Sequence, residues 1–335
     1  MIVKVKENIF GDNIAKAILL DFSRGNLNDE NRLLVITSIA SICYANPKGI
    51  GSESLYNRLL SESHGLPSSS FEFVPMLIPW EEVMAVSSAI EQPITYEDGI
   101  KIDTQTSNIE KFGQWIEEDG CKYLLTNYRA VVYDYEMYGS RGVDLRNFYN
   151  SEAECDIIKK YYFAFKFFVD LPTRSQMVRH RVNLQELSRR YVNGKRVEVK
   201  HYISRKMKTV KSTYTFTKPF REALVDSSDD LTGFAGAPIG CLVENIEVSL
   251  YTQDVINICM NHYFKSLEDG VAPQEARRII PQTAYTELYM GFLPYQLENF
   301  FRLRDDSHAQ WEVRQAAIAM KEMLNIPIKV DNAWV

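Results

Sequence analysis

Residues 161–191 read YYFAFKFFVDLPTRSQMVRHRVNLQELSRRY. Tyr161–Leu171 is aromatic and alternating, the pattern of a buried strand, and Pro172 ends the run because proline cannot donate to a strand ladder. The block behind it, Gln176–Tyr191, sets Arg179, His180, Arg181, Arg189 and Arg190 around one carboxylate, Glu186, and one hydroxyl, Ser188. The chain's formal net charge is -6. Against that background, a local excess of arginine forks is costly to hold unless phosphate or carboxylate oxygens satisfy them. A solvated basic helix face is the plainer reading of the same letters. The order of strand, proline and basic block delivers the arginines from the edge of a sheet and predicts an anion site there.

Outward from this block, 335 residues with 45% hydrophobic content suffice for a sizeable core. The expected organisation is a single domain over 1–335 with an insertion at about 75–156. Cys43, Cys121, Cys155, Cys241 and Cys259 are scattered, odd in number and without a CxxC pair. They predict neither a disulfide framework nor a metal site, and so a reducing, cytoplasmic setting. The start MIVKVKENIFGDN has no signal-peptide core, and no apolar run approaches the roughly 20 residues of a membrane helix. Mild acidity argues against a nucleic-acid partner, which calls for a broad basic surface.

Helical spacing is expected over Asp29–Tyr44, Ser54–Ser61, Ile109–Glu118, Asn127–Tyr138 and from about Asn245 to Glu268. Phe71–Ile78 reads as a strand. Leu297, Phe300, Phe301, Trp311, Ala317 and Met320 recur near helical spacing behind Pro294, which predicts one long amphipathic helix with Arg304 and His308 on a shared face. Read alone, Arg304 would pair with Asp305, Asp306 or Glu312. GFAGAPIG, Gly233–Gly240, fits neither a P-loop nor a dinucleotide fingerprint and reads as a turn.

The basic block resembles the signature of the flavin-dependent thymidylate synthase family, in which Arg-His-Arg is followed by a spacer, a serine and an x-Arg-Tyr ending. The resemblance continues in order through LEDGVAPQEARRIIP, Leu267–Pro281, and NFFRLRDDSHAQWEVR, Asn299–Arg314. A weaker likeness lies in ASICYANP, Ala40–Pro47, and LLSESHGLP, Leu59–Pro67. The resemblance implies an α+β fold of mixed helices and antiparallel sheet with a long C-terminal helix. It also implies reductive methylation of dUMP to dTMP by a homotetramer. FAD would be the bound cofactor, with methylene-tetrahydrofolate and NADPH as cosubstrates. C5 modification of UMP or dCMP on the same scaffold is the nearest alternative, and a non-catalytic nucleotide- or flavin-binding regulator is the reading from another class. Thymidylate synthases that attack C6 covalently use a Pro-Cys pair, which this chain lacks.

Carried over residue by residue, the resemblance implies nucleotide contacts at Gln176, Arg179, Glu186, Leu187, Ser188, Arg189, Arg190, Arg277 and Arg304. Arg304 and Ser188 would do the catalytic work. Flavin contacts are implied at Arg179, His180, Arg181, Glu186, Asn299 and His308, and at His64 and Leu66 from a neighbouring subunit. Two departures stand out. The spacer VNLQEL between Arg181 and Ser188 is one residue shorter than the family's. The family's Asn-x-Arg before its last helix is Leu293, Pro294 and Tyr295 here, and Asn127-Tyr128-Arg129 carries the missing chemistry elsewhere.

Overall fold

A computed structural model describes residues 3–10, 15–21, 27–61, 67–90, 107–138, 144–203, 205–217 and 245–326. In chain order the first elements are β1 (Val3–Phe10), β2 (Ala15–Asp21), α1 (Asp29–Tyr44), α2 (Glu53–Leu60), β3 (Pro75–Pro79) and α3 (Trp80–Ile90). There follow α4 (Asn108–Lys111), β4 (Gln114–Glu118), β5 (Cys121–Asn127), α5 (Tyr128–Tyr138), α6 (Glu152–Tyr161), β6 (Phe163–Asp170), α7 (Leu171–Met177) and β7 (Asn183–Glu186). Then come α8 (Arg205–Lys208), β8 (Lys211–Thr217), β9 (Asn245–Tyr251), α9 (Thr252–Glu268), α10 (Pro273–Ala276), β10 (Tyr285–Phe292), α11 (Pro294–Arg304) and α12 (Trp311–Leu324). Residues 1–200 with 284–335 form one compact unit, and 201–283 form another.

The first unit is built on an antiparallel sheet in the order β1-β2-β6-β10-β7. Tyr161–Leu171 supplies the expected strand, at the middle of this sheet. Its alternation has a direct cause: Phe165, Phe167 and Val169 share a face with Ala17, Leu288, Met290 and Phe292, and all are fully buried against Leu297, Phe300, Val313, Ala316, Ala317 and Met320. Each large apolar side chain so buried contributes about 2 kcal/mol. Lys166 and Glu287 pair on the opposite face at 2.9 Å.

A second core joins α1 to the smaller antiparallel sheet β3-β5-β4. Arg32, although 1% exposed, has both terminal nitrogens satisfied there, while its Nε has no hydrogen-bond partner among the described residues. The guanidinium donates to the Arg146 carbonyl at 2.7 Å and to the Phe148 carbonyl, and it lies over the Tyr128 and Tyr149 rings. The second unit carries the antiparallel strand pair β8-β9 and the helices α9 and α10. Among the described residues no helix is long and apolar enough to cross a membrane.

Several expected boundaries move. Phe71–Ile78 divides into a 3-10 turn, Ser69–Phe73, and the strand β3. Ile109–Glu118 is not one helix: α4 stops and β4 begins on either side of Gly113, where a Cβ would meet the Ile109 carbonyl at 2.5 Å, so only glycine permits the close approach there. Asn245–Tyr251 is a strand, and its helix starts at Thr252. The amphipathic run behind Pro294 is two helices, α11 and α12, with a turn over residues 305–310, and α12 is the C-terminal helix. The segment Gly233–Gly240 lies outside the described residues.

Candidate active site

Pro172 starts a helix as well as ending a strand. Asp170 accepts from the Thr173 amide at 3.0 Å and caps α7, with proline tolerated in its first turn. The basic block therefore spans the end of α7, a turn over residues 178–182, the edge strand β7 and the turn over residues 187–191 that follows it. The arginines still reach a sheet edge, but a helix intervenes between them and β6.

Arg304, at the end of α11, is drawn onto this block. Its Nε donates to His180 Nε2 at 2.8 Å, its Nη1 to Gln176 Oε1 at 3.3 Å and its Nη2 to the Gln176 carbonyl at 3.0 Å. None of the acids suggested by sequence adjacency partners it in these bonds. His180 is 9% exposed and packs on Phe300 with ring centroids 4.7 Å apart. Burial, and then the neighbouring Arg304 charge, push the imidazole down to about 4. As acceptor at Nε2, His180 is the neutral Nδ1–H tautomer, assigned from this bond. Burial and the Arg179 charge also lower the Arg304 guanidinium from its ordinary value. Two cations crowded at one place favour an anionic ligand between them.

Glu186 does not gather the arginines of its own block. Its carboxylate is gripped by Arg174 of α7, Nε to Oε2 at 2.5 Å and Nη2 to Oε1. Its backbone carbonyl accepts the Cys43 thiol at 2.9 Å, and the Ser188 amide donates to the Cys43 carbonyl at 3.3 Å. The end of α1 thus holds the shortened spacer. Nothing in the sequence motif itself marks Arg174 or Cys43 for these roles. An arginine within a turn of the block was the available signal for Arg174.

The other expected residues are placed as follows. Leu187 is buried, and its amide donates to the Glu287 carbonyl at 2.9 Å. Arg189 donates to the Val197 carbonyl at 2.7 Å and the Glu198 carbonyl at 3.2 Å. Arg179 and Arg181 are exposed, as is Arg190, whose guanidinium lies 5.4 Å from the Tyr191 ring. Asn299 is exposed and accepts from Arg302 at 2.8 Å. His308 is exposed in the turn after α11, paired with Asp306 at 2.9 Å, and so shares no helix face with Arg304. Arg277 belongs to the second unit, exposed in a short 3-10 turn. His64 and Leu66 lie outside the described residues.

Leu293, Pro294 and Tyr295 start α11. The Leu293 amide donates to Gln296 Oε1 at 2.8 Å, Gln296 Nε2 donates to the Arg181 carbonyl at 2.9 Å, and the Tyr295 amide donates to Gln114 Oε1 at 3.1 Å. Asn127-Tyr128-Arg129 is committed to the fold. Asn127 accepts from the Ala130 amide, Tyr128 is buried, and Arg129 pairs with Glu72 at 2.6 Å and with the Pro67 carbonyl.

The family described as thymidylate synthase complementing protein matches residues 146–326, more than half of the chain. A flavin-dependent thymidylate synthase of Kosmotoga olearia is 32% identical over 165 residues, 48% of this chain and 63% of that protein. Another from Thermosipho melanesiensis is 46% identical over 61 residues, 18% of this chain and 27% of that protein. The chain thus spans less than two thirds of the length of either relative. A solved UMP/dUMP methylase from Streptomyces cacaoi, bound with 5-Br dUMP, covers 49% of this chain and 65% of its own at 18% identity and a TM-score of 0.32.

Proposed function

We propose that this chain, which belongs to the thymidylate synthase complementing protein family, binds a pyrimidine nucleotide at the Gln176–Tyr191 block and methylates its C5 reductively. The substrate is dUMP. The balanced reaction takes dUMP, methylene-tetrahydrofolate, NADPH and a proton to dTMP, tetrahydrofolate and NADP+. The observation that carries this reading is the convergence of Arg304 on Gln176 and His180, since it joins two separate sequence motifs at one cationic place.

The donor set suits a flavin dinucleotide: Arg179 and Arg181 are exposed guanidinium groups fit for a diphosphate, and Asn299 and His308 are exposed side chains fit for a ring edge or a hydroxyl. When bound, FAD supplies the reducing equivalents, which NADPH restores. The protein's own part is positioning. Arg189 and Arg190 hold the phosphate, Ser188 orients the nucleotide by hydrogen bonding, and Arg304 stabilises negative charge developing on the ring. His180 keeps Arg304 aimed.

The spacer shortened by one residue and held by Cys43 favours a second reading, in which UMP or dCMP replaces dUMP on the same scaffold. We further read residues 1–335 as one family domain whose insertion, about 75–156, holds the sheet β3-β5-β4. The assembly is a cytoplasmic homotetramer. The test is purification followed by a nucleotide screen. The protein is expected to be yellow and to convert dUMP faster than UMP or dCMP in the presence of methylene-tetrahydrofolate and NADPH. Colourless protein that takes up no added FAD and turns over none of the three would sink the enzyme reading and leave the non-catalytic one.

A further inference from the structure

The structure assigns to Arg174 the role of positioning residue for Glu186, a role that rests on the nucleotide-binding reading of the Gln176–Tyr191 block. Arg174 lies in the last turn of α7, outside the motif, and its fork takes both oxygens of the block's one carboxylate. The side chains are 29% and 32% exposed, so the pair adds little to fold stability. It is nevertheless doubly fixed. The Glu186 backbone is held independently, through the Cys43 thiol at 2.9 Å and through register with Leu288 in β10.

Two consequences follow from that geometry. Each carboxylate oxygen has room for a second hydrogen bond, so Glu186 remains able to accept from a ligand hydroxyl or ring N–H while its plane stays fixed. Arg174 also neutralises Glu186 from outside the block, so the block's own exposed arginines keep their attraction for phosphates, Arg179 and Arg181 for the cofactor's and Arg190 for the nucleotide's. Without Arg174, Glu186 is free to swing onto those arginines and compete with the ligand. Arg174 thus acts on the ligand through Glu186.

The experiment measures dUMP binding to the flavin-loaded protein by isothermal titration calorimetry. The variants are Arg174→Gln, Arg174→Lys, Glu186→Gln and the double variant Arg174→Gln/Glu186→Gln. Arg174→Gln is expected to weaken dUMP binding about tenfold or more, as for a lost charge-assisted bond. Arg174→Lys, which keeps the charge but loses the fork, should fall between it and the parent. Adding Glu186→Gln to Arg174→Gln should cost no more, since the competing carboxylate is gone. Ligand-free melting temperatures should stay level across the set. Additive losses in the double variant, or dUMP binding unchanged in Arg174→Gln, overturn the proposal alone. Parent protein that binds none of dUMP, UMP or dCMP overturns the underlying reading and the proposal together.

Discussion

His180 is neutral in the folded protein, and this sets a measurable pH signature. Its imidazole titrates near 6.5 when unfolded and at about 4 when folded. Between those values the unfolded chain holds a proton that the folded chain refuses. Stability from this group is therefore complete above about pH 6.5 and falls as the pH drops toward 4, by about 3 kcal/mol at most. Glu72, Asp134 and Asp170 are shifted the other way, upward by burial, so the raw curve mixes opposing slopes. We expect urea unfolding across pH 4–7 to show the His180 share as the difference between the parent and His180→Gln. Identical pH profiles for the two proteins would refute it. Arg304, His180 and Gln176 could be singled out in the sequence because their residue types match motifs that carry chemistry. Their mutual bonds could not, since Gln176 and Arg304 stand on different helices whose packing only the folded core decides. Arg174 is not legible in the sequence for the complementary reason. It lies outside the motif, and its pairing with Glu186 exists only because α7 and the turn after it fold back alongside β7.

At the scale of elements, β6 was legible because its alternation is enforced by one buried face and one polar face. The run from Pro294 to Met320 reads as one helix in the sequence because helical periodicity persists on both sides of a break that local and distant bonds create. The His308 amide bonds Asp306 at 2.8 Å, and Lys321 reaches back to Asp305 at 2.5 Å. The Asp305 and Lys321 side chains are 1% and 7% exposed, with Arg314 Nε 3.8 Å from the same carboxylate. This buried pair fixes the turn directly after Arg304. Removing one partner strands a charge in the interior, so Asp305→Ala is expected to cost about 3–5 kcal/mol, whereas Asp305→Leu with Lys321→Met should cost far less. Urea midpoints at neutral pH check both. An Asp305→Ala loss below about 1 kcal/mol, the scale of a surface pair, would contradict the assignment.

For the whole molecule, the resemblance of the early turn at His64 and Leu66 implies a flavin site shared between subunits. Sedimentation is expected to show a tetramer, with flavin released as dilution takes the protein to monomer. A monomer that retains its flavin would refute the shared site. Within one chain, the sheet order leaves another mark. β10 sits between β6 and β7, yet it follows them only after residues 201–283 have intervened. A nascent chain emerging from the ribosome must therefore leave the edges of β6 and β7 that β10 covers unpaired until Tyr285–Phe292 has been synthesised. Such edges template pairing between molecules, so the interval of translation before β10 emerges is the one in which this sheet is open to pairing with a neighbouring chain.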